Sequence, residues 1–79
     1  MPGELIEVVA YSGYRVEECP RLFKIRGEQI EAKEILNMWI EENAKTKKRK
    51  RFFLVRGSDE HEYTIYYDEE MMLWFLTKE

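Results

Sequence analysis

The chain has 79 residues and a mass of 9.7 kDa, enough for a single domain, 1–79, with one core and too few for most multi-domain enzymes. With 44% hydrophobic, 14% aromatic and 37% charged residues, against roughly a quarter charged in an ordinary soluble domain, the composition argues against disorder and predicts a globular body with a heavily charged surface. The net charge of −3 conceals an asymmetry: six of the 13 basic residues lie between Lys45 and Arg51, leaving seven basic against 16 acidic residues, or −9, elsewhere.

Leu5 to Tyr11 is apolar and β-branched and stops at Ser12-Gly13, which reads as a strand ending in a turn. Residues 14–19 form a polar connector closed by Pro20. Arg21 to Arg26 then alternates polar and apolar residues as a half-buried strand does, ending at Gly27. Residues 29–43 read two ways. Ala32, Ile35, Leu36, Trp39 and Ile40 fall at helical spacing among good helix formers, which favours an amphipathic helix. Gln29-Ile30-Glu31-Ala32 alternates instead, and Phe23-Lys24-Ile25-Arg26-Gly27 recurs as Phe53-Leu54-Val55-Arg56-Gly57 thirty residues later, which favours a hairpin at both places or simply two strands that end alike.

The last third is plainer. Arg51 to Arg56 and His61 to Tyr67 are rich in aromatic and β-branched residues and flank Gly57-Ser58-Asp59-Glu60, which predicts a hairpin; Asp68-Glu69-Glu70 makes the next turn and Met72 to Leu76 a short last strand. Phe53, Val55, Tyr63, Ile65, Trp74 and Leu76 are expected on one buried face. The pattern predicts a mostly β fold, a small antiparallel barrel or bent-sheet roll with strands near 5–11, 20–26, 29–41, 50–57, 61–67 and 72–77. An α+β arrangement with a helix at 29–43 packed on the sheet is the alternative.

The order Pro20-Arg21-x-Phe23, Gly27, Ala32-x-x-Ile35-Leu36-x-x-Trp39, Arg51-x-Phe53-x-Val55, Tyr63-x-Ile65 and Trp74-x-Leu76 resembles a small domain family of uncharacterised function. That family occurs as short stand-alone prokaryotic proteins and as C-terminal extensions of some Y-family DNA polymerase-like proteins. The likeness spans residues 20–77 and rests on single aromatic, glycine and aliphatic positions. It implies a small antiparallel barrel or roll in which the segment after Gly27 returns as a long bent strand, and it brings no catalytic residues. Ala32, where a larger aliphatic residue is expected, and the basic connector before Phe52 depart from the pattern.

The run Lys45, Lys47, Lys48, Arg49, Lys50 and Arg51 is the candidate site. Clustered cations attract phosphate backbones, and Phe52 or Phe53, whichever points outward, offers a stacking surface. The bland reading is a solubilising loop that also guards strand edges. Lys47-Lys48-Arg49-Lys50 further fits a short nuclear-import pattern, which a prokaryotic source would void. The acidic turns at 59–62 and 68–70 lack the spacing of a calcium loop, His61 and Cys19 are a lone histidine and a lone thiol, and the four glycines stand apart, so no metal, cofactor or enzyme activity is expected. Tyr66, Phe75 and Met71 are expected opposite the core, either as an exposed binding face or as part of a two-sided core. A single cysteine, no export signal and no long apolar stretch predict a soluble cytoplasmic protein without a membrane span. The function expected is a non-catalytic binding module that contacts nucleic acid or another polyanion; the alternative is a protein-interaction or homodimerisation module using a strand edge or the aromatic face.

Overall fold

The computed structural model describes residues 3–11 and 20–77, which form six strands and no helix. These are β1 (Glu4–Tyr11), β2 (Pro20–Ile25), β3 (Glu28–Glu42), β4 (Arg49–Gly57), β5 (Glu62–Asp68) and β6 (Leu73–Leu76). Each pairs antiparallel with the next, and β1 pairs with β6 through Glu4↔Leu76, Leu5↔Phe75 and Ile6↔Trp74, closing a barrel. Closure removes most of the sheet edge that a protein this small would otherwise expose. The strand bounds match the expected ones to within a residue. Ser12 to Cys19, and so the polar connector and the lone thiol, lie outside the described residues.

The helix alternative for 29–43 is overturned, and the register explains why those residues imitate one. β3 is a single strand of 15 residues that pairs first with β2 (Phe23↔Ile30) and then with β4 from Ala32 onward. Against β4 it carries two irregularities, between Ala32 and Glu34 and between Ile35 and Asn37, where two steps on β3 oppose one on β4. Each bulge lengthens the inward repeat from two residues to three. Ala32, Ile35 and Met38, opposite Gly57, Val55 and Phe53, therefore share the inner face at a spacing of three, which is also the spacing of a helix stripe. The bulges bend the strand round the barrel, and Ala32 supplies the small side chain where the bend brings β3 against Gly57.

The core is built from alternate residues of all six strands: Ile6, Phe23, Ile25, Ile30, Phe53, Val55, Ile65, Tyr67, Trp74 and Leu76 are buried, with Val8, Ala32, Ile35 and Tyr63 packed against them. Of the six residues expected on this face, five are buried and Tyr63 is half-buried at the rim, its ring edge-on to Phe23 with centroids 5.8 Å apart.

The repeated Phe-x-(Ile/Val)-Arg-Gly segments are two strand ends used differently. Arg26 and Gly27, both with positive φ (51° and 81°), make the two-residue turn between Ile25 and Glu28. Arg56 and Gly57 still belong to β4, and the turn that follows is longer, with Glu60 as its left-handed residue.

Candidate nucleic-acid interface

The basic run does not form one free loop. Residues 43–48 are a compact turn joining β3 to β4, and Arg49, Lys50 and Arg51 are already strand. Asn43 builds the turn: its backbone carbonyl accepts from the Lys47 amide (2.8 Å), and its side-chain oxygen accepts from the amides of Lys45 (2.9 Å) and Thr46 (3.1 Å). Lys47 takes the left-handed conformation that closes it, with φ 64°. An asparagine that caps its own turn in this way fixes the tip locally, so the lysines project from a defined backbone.

The register then distributes the six cations over three settings. Lys48 and Arg51 are engaged by the β5–β6 turn, Lys48 Nζ with Glu70 (3.0 Å) and Arg51 Nε with Glu69 (2.7 Å), the latter a part-buried pair. Arg49 and Lys50 stand opposite Glu42 and Glu41 on β3, and Lys50 also lies over the Tyr66 ring, 5.2 Å from its centroid. Lys45 and Lys47 occupy the exposed tip. Among the described residues no carboxylate comes within salt-bridge distance of Lys45, Lys47, Arg49 or Lys50. Five acids nonetheless bracket the run, Glu41 and Glu42 on one side and Asp68, Glu69 and Glu70 on the other. The concentration of charge in the sequence is thus much diluted in space, and the excess of positive charge sits at the tip.

Alternation settles which phenylalanine faces outward. Phe53 is in the core and Phe52 is on the outer wall. Phe52 is not bare, however, for it is the second ring of a row running across four strands through the register Trp39↔Phe52↔Tyr66↔Phe75. Successive centroids are 5.3, 5.0 and 5.2 Å apart; Trp39 and Phe52 are parallel to within 7°. These are cross-strand neighbours standing side by side on a sheet, and they bury one another against solvent as well as stacking. Tyr66 and Phe75 are accordingly opposite the core, as expected, yet Tyr66 is only 6% exposed, so the row is a second small apolar cluster. Met71 lies exposed in the β5–β6 turn and outside the row.

Trp39 is the residue whose place the sequence does not disclose. Helical spacing puts it with Ile35 and Leu36 on a core face, whereas in the strand it points away from the core. Its indole N–H donates to Glu41 Oε2 (3.2 Å), two residues along the same face. Met38 (57% exposed) and Ile40 (48% exposed) border an apolar groove of about 360 Å³ that Trp39, Arg51, Phe52 and Phe53 also line.

The other charged groups serve turns and strand ends. In the β4–β5 turn Asp59 accepts hydrogen bonds from the Tyr63 hydroxyl, from the His61 amide (3.1 Å) and from His61 Nδ1 (3.3 Å). The Tyr63 bond, with the two from His61 in support, holds the Asp59 carboxyl below the ordinary carboxylate range, against a smaller opposing effect of desolvation. A carboxyl so lowered stabilises the fold above its unfolded-state pKa, and that stabilisation is lost as pH falls through the lower folded-state value. Asp59→Asn is therefore expected to lower the denaturant midpoint near pH 7 and to differ less from the parent protein below pH ~3, where the carboxylate of the parent protonates as well. Urea melts of both proteins from pH 7 to pH 2 check this, and a gap that widens on acidification contradicts it. Arg56 lies between Glu34 (3.1 Å) and Glu62 (3.7 Å), and among the described residues no cluster of three or more potential metal ligands occurs. No helix among them is long and apolar enough to cross a membrane.

No protein-family profile, curated protein or solved structure matches the chain.

Proposed function

We propose that the protein is a non-catalytic binding module that contacts nucleic acid through the tip of the β3–β4 hairpin. The observation that carries this reading is the group Lys45, Lys47, Arg49 and Lys50: four cations on one preorganised hairpin, none held by a carboxylate among the described residues. Phosphates approaching the tip meet these cationic side chains first and shed the counterions condensed on them, while the −9 carried elsewhere keeps a polyanion from settling on other surfaces. Lys48 and Arg51 act instead as struts, tying β4 to the β5–β6 turn. Recognition of this kind tracks the backbone and reads no bases, and the site lies in the cytoplasm within the same reading, as does membership of the small-barrel family that the sequence resembles.

A second reading has its own observation. The exposed Met38 and Ile40 beside the groove suit an apolar protein partner or a second copy of the chain, with the basic tip only solubilising. Fluorescence-anisotropy titration of labelled DNA and RNA at low salt separates the two. The protein is expected to bind, and the variant with Lys45, Lys47, Arg49 and Lys50 changed to Gln to lose most of that binding. Binding equal in both proteins, or none at low salt, removes the nucleic-acid reading, and concentration-dependent sedimentation then favours the second.

A further inference from the structure

We infer that the nucleic acid is duplex DNA, and that the exposed corner Met71-Met72 of the β5–β6 turn enters its minor groove as an apolar wedge while the β3–β4 tip holds a bordering backbone. This rests on the proposed contact at the hairpin tip and specifies its ligand.

The two turns are built alike. In the β5–β6 turn Asp68 takes the part of Asn43: its side-chain oxygen accepts from the amides of Glu70 and Met71 (3.0 Å each), and its carbonyl accepts from the Met72 amide (2.7 Å). Met72 closes the turn in the left-handed conformation with φ 59°, as Lys47 does with φ 64°. Position for position, the second turn sets Met71 and Met72 where the first sets Thr46 and Lys47. Among the described residues Arg26, Lys47, Glu60 and Met72 are the non-glycine residues with positive φ, and Met72 is the apolar one. A left-handed site strains any residue with a Cβ and is least costly for glycine or asparagine. Here it carries a long thioether at 68% exposure, with Met71 beside it at 55%, so strain is accepted where it presents apolar side chains to solvent.

The register sets this corner beside the cations. Both turns lie at the same end of the barrel, two strand spacings apart across the sheet, roughly 10 Å at ~4.8 Å each. The Glu69 amide donates to the Arg49 carbonyl (3.2 Å), Glu69 pairs with Arg51 and Glu70 with Lys48, which fixes one turn against the other. The same contacts occupy the acids of the second turn: two carboxylates face cations, and Asp68 faces backbone amides. What the corner offers a polyanion is therefore methionine. Side chains of this kind enter between base steps from the minor groove, unstack them and kink the duplex. Seated in a groove about 6 Å wide, the corner brings a bordering backbone within reach of Lys45 and Lys47. A single strand has no paired step to open and gains only the electrostatic part of the contact.

The test uses the full chain at low salt with three probes: a DNA duplex of about 20 base pairs with a central TA step and a dye at each end, one of its strands alone, and anionic phospholipid vesicles. The duplex is expected to bind and to bend by roughly 20–90°, read as a rise in energy transfer between its ends. The double variant Met71→Gln, Met72→Gln is expected to weaken duplex binding by roughly 3- to 30-fold, to lose most of that rise, and to bind the single strand as the parent does. Met72→Gly separates this role from a structural one. Glycine relieves the left-handed site, so the variant is expected to melt no lower than the parent while binding the duplex less tightly. A duplex bound without any rise in transfer, or a double variant that binds and bends it as the parent does, overturns the wedge; the tip contact then stands if the four-Gln hairpin variant still loses binding. Failure of both oligonucleotides to bind removes both readings, and vesicle binding in that case makes a lipid surface the ligand.

Discussion

Replacing Phe23 by alanine is expected to bring the barrel to the margin of unfolding. Phe23 is fully buried at the middle of β2, opposite Val8 on one side and Ile30 on the other, and its ring meets Tyr63 edge-on. It thus joins β1, β2, β3 and the β5 rim at one point. A Phe→Ala change in a core typically costs about 3–5 kcal/mol, whereas a chain of this length has a total stability of roughly 4–12 kcal/mol. Thermal melting is expected to drop by about 12 °C or more, at about 4–8 °C per kcal/mol for a domain of this size. Phe23→Leu, which keeps most of the volume, is expected to lose less than half as much. A fall under about 5 °C for Phe23→Ala contradicts the placement of this ring at the centre of the core.

Gly57→Ala is expected to destabilise by roughly 1–3 kcal/mol, because the space a methyl group needs is already taken. A Cβ at position 57 lies 2.7 Å from Asp59 Oδ1, 2.8 Å from Ile30 Cγ2 and 3.1 Å from Tyr63 Cε2. Each neighbour is held by something else: the Asp59 oxygen accepts from the His61 amide, Ile30 is in the core, and Tyr63 is bonded to Asp59 and packed on Phe23. Relief by one shift therefore disturbs the whole β4–β5 turn. Gly27 makes a useful contrast, since open space surrounds it and its cost on substitution comes from its positive φ alone. Urea unfolding of Gly57→Ala beside the parent protein gives the value, and a change within a few tenths of a kcal/mol would show that the turn yields freely.

Both predictions concern positions whose environment is partly legible in the sequence. Phe23, Val55 and Ile65 declare themselves by alternation, and Gly57 by standing between two strand patterns. β3 does not, because two bulges convert a period of two into a spacing of three, and nothing local to Ala32, Ile35 and Met38 distinguishes that from a helix. The basic run is conspicuous in the sequence, but its effective charge is not. Glu41 and Glu42 precede it closely, while Glu69 and Glu70 lie some twenty residues beyond and reach Arg51 and Lys48 only because β4 and β5 pair as they do. The aromatic row is hidden for the same reason. Trp39, Phe52, Tyr66 and Phe75 are spread over 37 positions, and only the register of four strands puts their rings in line. Cross-strand partners are a long-range property, set by turn lengths and bulges together.

The dependence of oligonucleotide affinity on salt tests the contact at the hairpin tip most directly. Two fully projecting lysines and two strand cations limit the phosphates engaged to between two and four, so the logarithm of the binding constant for a single strand is expected to fall with the logarithm of salt at a slope between about −1.4 and −2.8, at about −0.7 per phosphate. In the variant with Lys45, Lys47, Arg49 and Lys50 changed to Gln the slope is expected to approach zero. A slope that is flat in the parent protein, or unchanged in the variant, would contradict the assignment of this hairpin as the nucleic-acid contact.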